Sequence, residues 1–181
     1  MPQFVALLRG INVGGKNLIR MAELKMCLER HGFERVQTYI QSGNVLFTSA
    51  EPSSALAPRI ENILTATFDY HASVVLRTQT ELRAIVEQAP KGFGTQPRLY
   101  RYDVLFLKPP LRAPIALGSV PTKEGVDTAH AGTGVLYFSR LISKAAQSRL
   151  SQVVSTPIYR QMTIRNWNTT VALLRLMDTL R

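Results

Sequence analysis

The chain has 181 residues, of which 45% are hydrophobic and 19% charged, with a formal net charge of +10. That apolar fraction suffices for a packed core and excludes wholesale disorder, and no apolar run approaches the ~18 residues that span a bilayer. Cys27 is the one cysteine, which excludes an internal disulfide framework or a cysteine-cluster zinc site and fits a cytoplasmic setting, and Met1 to Gly10 lacks the basic start and long apolar stretch of a secretory signal.

In chain order, residues 3–9 form a short apolar run that predicts a buried strand, followed by a loop from Gly10 to Asn17. Met21, Leu24 and Leu28 recur at helical spacing and Gly32 stops them. Val36, Thr38 and Ile40 alternate as a second strand. Ser42-Gly43-Asn44 has the chemistry of a turn, and Val45 to Thr48 completes a hairpin. Leu56, Ile60, Ile63 and Leu64 share one helical face, which places Pro58 in the first turn of that helix. Residues 73–77 predict a fourth strand. Thr78-Gln79-Thr80-Glu81 then has capping-box spacing ahead of Leu82, Ile85, Val86 and Ala89. The order β-α-β-β-α-β is the ferredoxin-like split pattern.

Lys91 to Pro97 reads as a linker. Tyr102 to Leu107 is a strong strand that ends at Pro109-Pro110, and residues 111–131 carry no clear periodicity. Val135 to Phe138 predicts a strand, Ala146, Leu150 and Val153 a helix, Met162 to Ile164 a short strand, and Leu173 to Leu180 a closing helix. The expected architecture is α+β: a ferredoxin-like βαββαβ domain over residues 1–90, then a basic α+β domain over 91–181 ending in a C-terminal helix. Residues 1–90 hold nine Lys/Arg and eight Asp/Glu, a net of +1, and residues 91–181 hold thirteen and four, a net of +9. A basic field of that kind suits a phosphate-bearing partner or simply a solvated surface.

The sharpest string is Gly10-Ile11-Asn12-Val13-Gly14-Gly15-Lys16-Asn17, which fits the glycine and lysine spacing of a phosphate-binding loop. Asn17 stands where a magnesium-binding hydroxyl belongs, and the helix starts several residues after Lys16, so the nucleoside-triphosphatase pattern is incomplete. The remaining alternatives are an anion-binding nest of backbone N–H groups ringed by Arg9, Lys16 and Arg20, or a strand-to-helix connection shaped by its glycines. In the split topology, strands one and two run parallel with strand three between them. Arg9, Asn12, Gly14, Gly15, Lys16 and Asn17 should then meet Gln41, Ser42 and Asn44, with the start of strand four near His71, at one edge of the sheet. Turn stabilisation alone is the alternative role for Gln41, Ser42 and Asn44.

Arg165-Asn166-Trp167-Asn168 forms a second candidate patch. There Asn166 or Asn168 suits a helix N-cap and Trp167 a core anchor or a stacking platform, with Arg140, Lys144, Arg149, Arg160 and Arg175 as surrounding cations. Lys91 to Gly94 imitates the start of an RNA-recognition signature without its aromatic strand. No metal-ligand spacing and no nucleophile elbow is present, and catalytic residues and cofactor stay unassigned.

Leu7 to Asn17, Met21 to Leu24, Tyr39 to Val45 and Met162 to Thr169 together resemble the bacterial domain-of-unknown-function family 1697 over almost the whole chain. The resemblance implies a cytosolic protein of two small α+β halves, the first ferredoxin-like, and brings no activity, cofactor or catalytic residue with it. Arg20 departs from the proline that members often carry before the Met-Ala-Glu-Leu segment. Three functions stay open at this point. The first is a cytosolic binding protein for a nucleotide or nucleic acid at the glycine-rich edge, with the Arg165–Thr169 segment docked nearby. The second is a structural or partner-binding protein with no small-molecule site. The third is an enzyme acting on an anionic substrate with His71 as base. No membrane partner is expected, and oligomeric state is open.

Overall fold

A computed structural model describes residues 1–180; Arg181, the last residue of the expected second domain, lies outside the described residues. The described chain divides into two compact units, Met1–Arg83 with the segment from Ala172 onward, and Ala84–Val171. This division differs from the expected 1–90 and 91–181 at both ends of the second unit. Both boundaries fall inside helices, Gln79–Glu87 and Trp167–Thr179, and sequence periodicity cannot register where a helix changes its neighbours.

The first unit runs β1 (Gln3–Leu8), α1 (Met21–Arg30), β2 (Glu34–Tyr39), β3 (Asn44–Thr48), α2 (Ser53–Phe68), β4 (Val74–Thr78) and the start of α3 (Gln79–Glu87). Its sheet has the order β2-β3-β1-β4, with β1 antiparallel to both β3 and β4. This is the expected ferredoxin-like arrangement. Phe4, Ala6 and Leu8 alternate onto one face of β1, where they meet Val45 and Phe47 of β3 under Leu24 and Leu28 of α1 and Leu56, Ile60 and Leu64 of α2. Each of these side chains except Ala6 contributes roughly 1.5–3 kcal/mol on burial, which outweighs a typical single polar contact. The α3 start is a full capping box. Thr78 Oγ1 accepts from the Glu81 N–H at 3.1 Å, and the Glu81 carboxylate accepts from the Thr78 N–H at 2.7 Å. Pro58 is a correction. Helix α2 starts at Ser53, with Pro52 as its N-cap, so Pro58 lies inside the helix. The helix absorbs the lost N–H bond because its buried stripe continues on both sides.

Tyr70 is half-buried, and its hydroxyl has no hydrogen-bond partner among the described residues. Burial, with Glu61 adding a smaller repulsion, pushes that hydroxyl from 10 up to about 12. Folding therefore favours the neutral phenol. The linked stability is fully present below pH 10 and is lost as pH rises through about 12. Tyr70→Phe should raise stability at pH 7 by about 0.5–1 kcal/mol, because it removes an unpaired polar atom, and should flatten the fall between pH 10 and 12. Urea midpoints across that pH range measure both effects, and an unchanged alkaline fall would contradict the assignment.

The second unit runs β5 (Tyr100–Leu107), α4 (Ala113–Ser119), β6 (Asp127–Gly132), β7 (Val135–Leu141), three 3-10 segments (Ile142–Gln147, Leu150–Ser155, Pro157–Gln161), β8 (Met162–Asn166) and the start of α5 (Trp167–Thr179). Its sheet order is β6-β7-β5-β8, which repeats the first sheet strand for strand. The second half is thus α+β as expected, and its connectivity is the same split pattern with 3-10 turns in place of the second helix. That replacement corrects the helix expected around Ala146 to Val153. Ser148, Ser151, Ser155 and Pro157 interrupt the apolar spacing, and Ser148 and Thr156 sit extended between the turns. Leu105, Leu107, Leu136, Phe138 and Met162 form the core with α4 and the 3-10 segments. The repeat extends to one unusual side chain. Arg77 on β4 and Arg165 on β8 are both buried, and each donates to the carbonyl of the residue before it. Desolvation lowers both guanidiniums from their ordinary value, Arg165 to about 10.

Lys91 to Gly94 connects α3 to β5, as expected of a linker, and also carries a packed ring. Phe93 lies edge-on to Tyr102, Tyr137 and Trp167, with ring centroids 4.9, 5.4 and 5.1 Å away. The packing of this glycine-flanked aromatic is not legible in the local sequence because most of its ring partners lie far along the chain.

Candidate functional site

The rim of the first sheet brings the expected loops together. The Leu8 N–H donates to the Gly43 carbonyl at 2.8 Å and the Arg9 N–H to the Ser73 carbonyl at 2.9 Å, so the exit of β1, the β2–β3 turn and the start of β4 share one end. Asn12 holds the first two together. Its side-chain amide donates to the Gln41 carbonyl at 2.7 Å and to the Ile19 carbonyl at 3.0 Å, and its oxygen accepts from the Ile19 N–H at 2.8 Å. Asn17 donates to the Gly10 carbonyl at 2.9 Å. Asn44 is fully buried at the head of β3 and donates to the Tyr39 carbonyl and to Ser42 Oγ at 2.9 and 3.0 Å. These three amides therefore serve the loops themselves.

What faces outward at this rim is Gly14, Gly15, Lys16 and Arg20, all exposed, with Arg9 half-buried. Asn12 and Asn17 sit at φ +52° and +49°, a region asparagine tolerates, and Gly14 and Gly15 share it at +58° and +74°. A Cβ on either of these glycines would touch nothing within 4 Å, so they are present for backbone shape and not for a close approach. Helix α1 begins at Met21, five positions after Lys16, with Arg20 as N-cap. A phosphate-binding loop opens directly into its helix, and this one does not. His71 is exposed ahead of β4, and no carboxylate is hydrogen-bonded to its ring among the described residues.

The second unit holds a cleft of about 350 Å³ where β8 stops and α5 begins. Strand β8 pairs with β5 only as far as Asp103, opposite Asn166. Tyr100, Arg101 and Tyr102 run on beyond that point, paired to β7 alone, and the cleft opens along them. Trp167 and Asn168, the first residues of α5, form its other wall. Asn166 is the N-cap, and its Oδ1 accepts the Thr169 N–H at 2.7 Å. Gly94 lies against the indole, at a distance where a Cβ would fall 2.3 Å from Trp167 Nε1.

Arg140 also lines this cleft. Its Nη2 lies 3.9 Å from Asp103 Oδ2, and its buried Nε–H has no acceptor among the described residues. Burial raises the Asp103 carboxyl above its ordinary value, while Arg140 and then Arg101 pull it back. Two guanidiniums thus face one carboxylate, and the residual charge is positive. The Ala84–Val171 unit as a whole carries eleven Lys/Arg and four Asp/Glu, a net of +7.

Of the second candidate patch, Asn166, Trp167 and Asn168 line the cleft and Arg140 joins them. Arg165 does not line it. Its Nη1 donates inside the sheet to Thr163 Oγ1 at 2.7 Å and to the Ile164 carbonyl at 2.9 Å. Sequence reasoning missed Tyr100, Arg101 and Tyr102. The alternation of rings and guanidinium ahead of an apolar strand was visible, but not the early end of the neighbouring strand that exposes it. Among the described residues no three His, Cys, Asp or Glu side chains cluster to hold a metal ion, and no helix is long and apolar enough to cross a membrane.

Residues 1–137 match the family model described as "Protein of unknown function (DUF1697)". Among solved structures, the chain is similar to the conserved bacterial protein SP0830 from Streptococcus pneumoniae. Identity is 28%, the alignment covers 97% of this chain and 98% of that one, and the TM-score is 0.85. No curated protein matches.

Proposed function

We propose that this chain, which belongs to the DUF1697 family, binds a phosphate-bearing ligand, a nucleotide or nucleic acid, in the cleft at the start of α5. The observation that carries this reading is the convergence of Arg101 and Arg140 with Tyr100, Trp167 and Asn168 around one opening of about 350 Å³. Guanidiniums pair with phosphate oxygens, ring faces stack on bases, and a side-chain amide supplies directional donors and acceptors. The volume lies in the range that holds a small ligand, ~300–1,000 Å³.

Trp167 is the only tryptophan in the chain and lines the cleft, so it reports occupancy directly. Titration with nucleoside phosphates and with oligonucleotides should change its fluorescence, with affinity falling as salt rises. Arg101 is exposed, so Arg101→Ala should weaken binding about tenfold at unchanged melting temperature. Asp103→Asn should strengthen it by removing the opposing charge. No fluorescence change at low salt would defeat the reading.

A second reading applies to the glycine loop. Asn12, Asn17 and Asn44 are bonded within the rim, which favours a structural role for the Gly10–Asn17 and Gln41–Asn44 strings.

A further inference from the structure

Resting on the reading just given, we infer that the ligand is a single-stranded oligonucleotide and not a lone nucleotide. A second cleft of about 300 Å³ adjoins the first, and the two share Tyr100 and Tyr102. Each cleft is at the lower end of what holds one small ligand, so two abutting openings give room for consecutive units of a chain. The second is lined by Lys91, Gln96, Thr128, His130 and Ser139, which again combine a cation with hydrogen-bonding groups. Lys91 and His130 are exposed.

Tyr100 and Tyr102 stand between the two openings. As residues i and i+2 of β5 they point to the same face, and their ring centroids are 6.0 Å apart at a 40° tilt. Phe93 holds Tyr102 edge-on, and the hydroxyl of Tyr102 accepts the Gln96 N–H at 3.2 Å, so this divider is rigid. A fixed aromatic pair between two cation-bearing pockets receives successive unstacked bases while the backbone follows the cations at either side. Duplex bases stay stacked on each other and cannot reach these rings. Stacking is tolerant of base identity, so the expected preference is for strandedness and length over sequence.

The test compares a nucleoside monophosphate, a dinucleotide, an eight-nucleotide oligothymidylate and a duplex of the same length, all followed by Trp167 fluorescence. The expected result is that the oligothymidylate binds about tenfold or more tighter than the monophosphate, and tighter than the duplex. Lys91→Ala should lower the ratio of oligothymidylate to monophosphate affinity by about threefold. Equal affinity for monophosphate and oligothymidylate, a preference for duplex, or equally good competition by dextran sulfate would overturn the inference and leave the one-nucleotide cleft standing. Failure of every nucleotide and oligonucleotide to bind would overturn the underlying reading itself.

Discussion

Asn12→Ala should cost the protein about 4 kcal/mol, a large loss for a half-buried loop residue. Three hydrogen bonds end on that one side chain, to Ile19 twice and to Gln41 once, and each contributes about 1 kcal/mol. Alanine also accepts φ +52° less readily than asparagine, which adds a further penalty of about 1 kcal/mol. The urea midpoint should fall while the slope stays unchanged, because the loop loosens and the core does not. Binding at the α5 cleft should be unaffected. A loss below about 1 kcal/mol would mean that Asn12 does not tie the β1 exit to the β2–β3 turn.

Gly94→Ala should be comparably destabilising, about 3 kcal/mol, and should abolish binding as well. The added methyl would sit 2.3 Å from Trp167 Nε1 and 2.5 Å from its Cδ1, so the indole or the turn must move. Backbone φ is +82°, which alanine tolerates poorly. Displacing Trp167 removes one wall of the cleft and disturbs its edge contact with Phe93. The fluorescence spectrum of the free protein should shift together with the urea midpoint. Gly15→Ala provides the contrast: φ is +74°, but nothing lies within 4 Å, so only the backbone penalty of about 1 kcal/mol applies. Equal costs at both glycines would show that the indole does not press on the turn.

Much of the first unit was readable from periodicity. β1 and β3 are buried almost continuously, helices α1 and α2 carry clean apolar stripes, and Thr78-x-x-Glu81 announces α3 by its own chemistry. Residues 111–131 were opaque for physical reasons. Helix α4 spans only Ala113–Ser119, and β6 is an edge strand of Asp, Thr, Ala, His, Ala and Gly with one buried residue, Asp127. An edge strand held by backbone bonds to one neighbour needs no apolar alternation. The candidate sites divided in the same way. The meeting of the Gly10 and Ser42 loops followed from strand order alone. The cleft depended on two strands ending at different heights, and that difference is set by pairing register, which local patterns do not encode.

Helix α5 begins in the second unit and ends among the residues of the first, where Gln3 donates to the Leu180 carbonyl and Gln79 and Arg83 both bond Asp178. Leu173 and Met177 on this last stretch are fully buried. The amino-terminal unit is therefore finished by residues made only after the whole of the second unit. On a ribosome it waits, missing a piece, until the polypeptide beyond Ala172 has emerged, so its final assembly follows synthesis of everything between.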